Sequence, residues 1–260
     1  MVQDYTAIWD YAAKPVFSGG PCNLCGKHDR LAKRQPDRYG YPVHVVTCSD
    51  CGLVYIWPRM TAEAYARFYD GPYRALVSAF HGREINAKTL EPEQRAYAAS
   101  VGSFLSPHVH SGHKKLLDIG GSTGVVARYL CNRFELRGTV IDPSPAELKI
   151  AKDKGLYTIP RTIEAYEIPE KWDVILLCQT VDHLLDIAGT LRKIKACMTE
   201  MGIFFVDIVD FDVTKELKID HPFNLTEATM GRYLKQGGFH VEARERAKDG
   251  KHVRYVCTVA

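Results

Sequence analysis

Lys114-Lys-Leu-Leu-Asp-Ile-Gly-Gly-Ser-Thr-Gly-Val-Val-Ala-Arg-Tyr-Leu130 is the stretch that decides how this chain folds. Residues 116–119 are a short apolar run, as a buried strand requires, and residues 120–124 are a glycine-rich turn. Val125, Val126, Tyr129 and Leu130 then recur at helical spacing. Strand, glycine turn and helix together are how a doubly wound α/β sheet brings backbone close to a nucleotide-like ligand. The dinucleotide pattern Gly-x-Gly-x-x-Gly fails in both registers. Counted from Gly120 the third and sixth positions are Ser122 and Val125, and from Gly121 they are Thr123 and Val126. A dehydrogenase is therefore disfavoured. Asp118, before the turn, would repel a pyrophosphate but suits an amino group. Asp142 ends the next strand, where ribose hydroxyls lie in such folds. A nucleoside bearing an ammonium group and no phosphate fits both carboxylates.

Downstream, apolar strand-like runs alternate with helical segments. Strands are predicted at 116–119, 136–141, 157–159, 173–178, 203–209, 239–245 and 252–259, with helices after 145, over 184–198 and over 226–236. The Asp249-Gly250 pair between the last two runs is a hairpin signal. The expected fold is α/β: a doubly wound, seven-stranded, mostly parallel sheet with an antiparallel last strand. Upstream, Thr61 caps a predicted helix through Tyr69, Asp70-Gly-Pro-Tyr73 breaks it, residues 75–88 carry weak periodicity, and a further helix is predicted over 92–105.

The N-terminal part contains Cys22-Asn-Leu-Cys25-Gly26 and Cys48-Ser-Asp-Cys51-Gly52. Two such knuckles suit a tetrahedral structural zinc held by Cys22, Cys25, Cys48 and Cys51, in preference to two disulfides or a redox pair. The other four cysteines sit in apolar contexts and read as buried thiols. The segment between the knuckles, 27–41, is basic with two tyrosines. It reads as a solvated hairpin, with a phosphate contact as the sharper alternative. Three regions follow: a zinc-ribbon domain (1–58), a helical connector (59–110) and a catalytic domain (111–260).

The chain has 260 residues and a formal charge of +3, too small to argue for nucleic acid or membrane. No run approaches the roughly 18 apolar residues of a membrane span, and the first ten residues lack a secretory pattern. A reducing cytoplasm is the expected compartment.

At this level of detail the sequence resembles the class I S-adenosylmethionine-dependent methyltransferases over roughly residues 92–260. The resemblance rests on four stretches: 116–124, Thr139-Val-Ile-Asp-Pro-Ser144, Lys171-Trp-Asp-Val-Ile-Leu-Leu-Cys-Gln-Thr-Val-Asp-His183, and the closing segment from Asn224 to Phe239. It implies S-adenosylmethionine as cofactor. Gly120, Gly121 and Gly124 would line its methionine part, Asp118 would face its amino group, and Asp142 would bind the ribose. Pro143, Ile163 and Glu164 would lie by the adenine, and Gln179 close to the sulfonium. The Cys ribbon, followed by Leu53-Val-Tyr and Pro58-Arg59, resembles zinc-ribbon methyltransferases of sugar and surface-polysaccharide pathways.

Methyl transfer from a sulfonium needs donor and acceptor held in line, and a hydroxyl acceptor also needs a base. Of ten histidines, His183 and His221 fall where the mouth of the sheet is expected. Asp182 and Asp207 are weaker candidates, and Tyr69 and Tyr73 can cover the cofactor. The reading is methyl transfer to a small, sugar-type polar substrate, at oxygen in preference to carbon. The alternative is an RNA methyltransferase gripping its substrate with the ribbon and its basic hairpin. A binding module without activity is disfavoured.

Overall fold

The computed structural model describes residues 5–28 and 30–259. Residues 1–4 and Asp29, inside the predicted ribbon domain, and residue 260 lie outside the described part. The N-terminal region holds β1 (Val16–Phe17), β2 (Arg30–Pro36), β3 (Pro42–Cys48), β4 (Val54–Ile56) and β5 (Arg59–Met60). β2 and β3 form the basic hairpin, which is solvated along β2 as expected. Its two tyrosines are the exception: Tyr39 and Tyr41 are buried in the core.

Three helices follow. Thr61 Oγ1 accepts from the Ala64 amide and starts α1 (Ala62–Tyr69), which buries Ala64, Tyr65 and Phe68. A fully buried Phe68 contributes about 1.5–3 kcal/mol. Asp70 caps the end of α1, and Pro72 opens the next helix, α2 (Pro72–His81), because a first-turn position needs no N–H donor. α3 (Ala87–Leu105) starts before the predicted Pro92. Asn86 and Thr89 form a capping box there, and Pro92 is carried inside the helix.

The C-terminal part runs β6 (Lys115–Ile119), α4 (Val125–Phe134), β7 (Arg137–Ile141), α5 (Pro145–Asp153), β8 (Tyr157–Ile159), β9 (Trp172–Cys178), α6 (Ile187–Cys197) and β10 (Met198–Val209). It continues with α7 (Phe211–Thr214), β11 (Phe223–Asn224), α8 (Glu227–Gln236), β12 (Phe239–Arg246) and β13 (His252–Val259). The main sheet has seven strands in the order β12-β13-β10-β9-β6-β7-β8. β6 to β10 pair in parallel, and β13 is antiparallel to both its neighbours. The opening stretch is thus a central strand, its turn and its helix. α6 is shorter than predicted, because a one-turn 3₁₀ segment at Val181–His183 intervenes after β9.

The ribbon and the main sheet are joined through their cores. β11 pairs antiparallel with β4, so a second sheet has the order β11-β4-β3-β2, with β2 at its free edge. Cys22, Leu24, Cys48, Leu53 and Tyr55 pack in one cluster with Ile187, Leu191, Phe223 and Tyr233. A second cluster joins Tyr41, Val43 and Ile56 to Phe68, Leu76, Leu217 and Ile219.

Candidate functional site

Asp118 lies in β6, Asp142 directly follows β7 and Gln179 directly follows β9, the strand ends where an open α/β sheet carries its ligand site. Asp118 is 1 % exposed; the Ala127 amide lies close to it, but neither carboxylate oxygen has a well-aligned hydrogen bond among the described residues. Burial, with Asp142 nearby, pushes its pKa up to about 7. It lies beneath the turn: a Cβ on Gly121 would come within 2.6 Å of its carboxyl. Gly120 has φ +72, and a Cβ there would meet Thr180 Cγ2 at 2.4 Å. The turn and the loop after β9 are therefore in direct contact, which no larger residue at 120 permits.

Asp142 is anchored at both oxygens, accepting from the Ser122 amide (3.0 Å) and the Ser144 amide (2.8 Å). Burial raises its pKa to about 6, partly offset by the Ser144 amide. Ser144, not Asp142, is the N-cap of α5. Ser122 Oγ bonds Glu147, which pairs with Arg74 of α2 at 2.5 Å. The connector thereby reaches the cofactor turn through two residues the sequence did not single out. Pro143 is exposed beside Asp142, while Ile163 is buried in the core. Glu164 Oε1 accepts from the Leu185 amide and so holds the loop that leads to α6. Gln179 is exposed, adopts φ +52, and contacts His252 Nε2 at 3.2 Å. A left-handed non-glycine residue at a strand exit is a mark of functional strain.

The two histidine loops meet. The His183 and His221 rings lie edge to face, 4.6 Å between centroids. His183 Nδ1 is 3.0 Å from the Asp220 carbonyl and 2.8 Å from Tyr69 Oη. Tyr69 Oη donates to the same carbonyl at 3.1 Å, and a carbonyl only accepts, so the tautomer that satisfies these contacts has its proton on Nδ1 and a lone pair on Nε2. Nε2 has no partner among the described residues. Burial, followed by the neighbouring His221, lowers the His183 pKa and keeps the ring neutral. His221 differs: Nδ1 is 2.9 Å from Asp182 Oδ2 and Nε2 is 3.5 Å from Asp220 Oδ2. Burial acts to raise the Asp182 pKa, but His221 holds it well below the carboxylate range. Tyr69 touches His183, and Tyr73 packs on Tyr69 with ring centroids 5.2 Å apart. Asp207 is fully buried, bonded by Arg254 Nε at 3.2 Å and Tyr97 Oη at 2.8 Å. It ties the sheet to α3 and has no part in the histidine cluster.

Two groups could hold metal among the described residues. The Cys22–Cys51 and Cys25–Cys48 sulfurs are 3.6 and 3.5 Å apart. Disulfide sulfurs are separated by about 2 Å, whereas thiolates on a tetrahedral zinc stand about 3.8 Å apart when Zn–S is about 2.3 Å. The Cys spacing fits zinc. Asp182, His183 and His221 bring donor atoms within 4.8 Å of one another, with Asp182 and His221 already bonded together.

A family model described as a methyltransferase domain matches residues 90–255. A ubiquinone biosynthesis O-methyltransferase of Methylobacterium sp. (strain 4-46) is 30 % identical over 102 residues, 36 % of this chain and 41 % of that protein. The chain thus spans about two fifths of the length of the curated relatives it matches. Magnesium protoporphyrin IX methyltransferase from Synechocystis PCC 6803, in its SAH-bound crystal structure, superposes with a TM-score of 0.60 at 10 % identity, covering 77 % of this chain and 100 % of that one. An S-adenosylmethionine-dependent methyltransferase from Clostridium acetobutylicum ATCC 824 gives 0.54 at 16 % identity, covering 76 % and 98 %. Identities this low speak for the fold. With the family match extending over most of its length, the chain belongs to the methyltransferase-domain family, built on the fold of S-adenosylmethionine-dependent methyltransferases.

Proposed function

We propose that this protein methylates a hydroxyl of a small polar molecule, with His183 as the base. The observation that carries it is the contact of His183 Nδ1 with the Asp220 carbonyl, which favours a proton on Nδ1 and so a lone pair on Nε2. When bound, S-adenosylmethionine supplies an electrophilic methyl group on a sulfonium. Asp142 would hold its ribose, Gly120, Gly121 and Gly124 let backbone approach it, and the unpaired Asp118 offers negative charge to its cationic end. His183 Nε2 would take the hydroxyl proton as the oxygen attacks, and the Asp220 carbonyl keeps the ring oriented. His221, bonded to Asp182, supports the cluster from behind.

The names of the curated relatives support oxygen as the acceptor atom. A sugar-type acceptor rests on the motif resemblance of the ribbon, and a structural zinc on its sulfur spacing. An RNA acceptor has less behind it, since Tyr39 and Tyr41 are buried and cannot stack on bases. The test is transfer of a labelled methyl group to a panel of nucleotide-linked sugars, catechols and bulk RNA. His183→Gln should lower turnover of the accepted substrate by roughly 10²–10⁴-fold, with affinity for S-adenosylhomocysteine within about twofold. Retained turnover would exclude His183 as base. Metal content near one zinc per chain agrees with this reading, and a second equivalent lost in His183→Gln would point to a metal-bound acceptor instead.

A further inference from the structure

We propose that the zinc ribbon positions the catalytic histidines, through Asp37 and Asn23; the inference rests on His183 being the base. Asp37, at the tip of the β2–β3 hairpin, is 7 % exposed. Its Oδ1 accepts from the Tyr39 and Tyr41 amides, both at 2.9 Å, and locks the turn. Its Oδ2 accepts from the Ile219 amide at 2.9 Å, across 182 positions of sequence. The Arg38 amide donates to the Leu217 carbonyl at 2.9 Å, and the Ile56 amide to the Pro222 carbonyl at 2.9 Å. Asp220 and His221 are therefore bracketed on both sides by bonds to the ribbon. The Asp220 carbonyl is the group that sets the tautomer of His183.

Asn23 fixes the other loop. It lies between the two cysteines of the first knuckle, where thiolate ligation would define its direction. Its Nδ2 donates to Asp186 Oδ1 at 2.8 Å, and its Oδ1 accepts from the Ala188 amide at 3.2 Å and Tyr233 Oη at 2.9 Å. Asp186 is the N-cap of α6, which begins just after the His183 turn. Both histidine loops are thus referenced to one cross-linked body. A substrate-gripping arm would turn its polar groups outward, but Asn23 and Asp37 spend theirs on the loops that carry the base.

Asp37→Asn separates this role from simple stabilisation. The amide oxygen can still lock the hairpin turn, while an NH₂ group now faces the Ile219 amide and breaks the bond between elements. The experiment uses full-length, zinc-loaded protein with S-adenosylhomocysteine, ¹⁵N-labelled at histidine, with His183→Gln to assign the signals. In the unmodified protein the His183 nitrogen shifts should report a fixed Nδ1–H tautomer. In Asp37→Asn they should move toward the averaged values of a tautomer mixture, and the Nδ1 proton should exchange at least tenfold faster. Zinc content and cofactor affinity should stay within about twofold. Asn23→Ala should displace the His183 signals likewise, which keeps the test open if the first variant fails to fold. A lower melting temperature with unchanged histidine signals in both variants would overturn the positioning role alone. A mixed His183 tautomer already in the unmodified protein would overturn the base assignment, and this inference with it.

Discussion

The cysteine knuckles and the cofactor turn are both short glycine-bearing turns, yet they treat their polar groups in opposite ways. Around the knuckles most groups are answered inside the protein, with Arg30 Nη1, opposite Cys48, an exception. Asn23 bonds three partners, the Cys51 carbonyl accepts from Arg232, and the four thiols face one another. Around the cofactor turn, Asp118 is buried with neither oxygen well bonded, and Ser122 and Gln179 hold left-handed backbone without being glycine. Buried carboxylates are normally satisfied, so one with neither oxygen well bonded has room for a cationic ligand group. One turn is committed to the fold and the other is kept for a guest.

The comparison breaks most visibly at the metal. Cys48→Ser should release zinc and lower the melting temperature by roughly 10 °C or more, each kcal/mol being worth about 2–4 °C at this chain length. Calorimetry of the variant, alongside metal analysis, reads both; an unchanged melt would show that the knuckles are not committed to the fold. A matched pair of glycines sharpens the contrast. Gly52→Ala, at φ +76 in open space, should cost about 1–2 kcal/mol. Gly120→Ala adds the collision with Thr180, and should also weaken S-adenosylhomocysteine binding at least tenfold in a titration. Equal effects of the two would erase the distinction.

The smallest effect concerns pH. In the folded, ligand-free protein Asp118 keeps its proton up to about pH 7, while the unfolded chain releases it near pH 4. The native state thus binds more protons across that window, and stability falls as pH rises through it. Asp118→Asn should flatten the melting temperature between pH 4 and 7 by a few degrees. An identical slope in the variant would assign the pH dependence to other groups, Asp142 first among them.

Much of this was legible in the sequence because it is local. A strand, a glycine turn and a helix declare themselves within seventeen residues, Asp249-Gly250 announces its hairpin, and the cysteine spacing brings four sulfurs together. The two-residue strand β11 has no periodicity to detect, and its partner β4 lies far away in sequence. Pro92 suggests a helix start because proline favours a first turn, whereas the Asn86–Thr89 capping box starts the helix upstream. Asp207 looked like a candidate base until Arg254 appeared beside it, a pairing made by neighbouring antiparallel strands. The Asp37 turn could have been noticed, since Asp-Arg-Tyr-Gly after a strand is a turn signature, but its bond to Ile219 could not.

The free edge of β2 leads to a colloidal consequence. A strand with one unpaired side offers its amides and carbonyls to any other chain, and Leu31, 71 % exposed, adds an apolar handle. Lys33 and Arg34 are also exposed on that strand, and Pro36, which has no N–H, closes it. The positive charge between the knuckles thus acts by repulsion: two copies meeting edge to edge would set like charges against each other before any backbone bond could form. That charge is the ribbon's defence against its own kind.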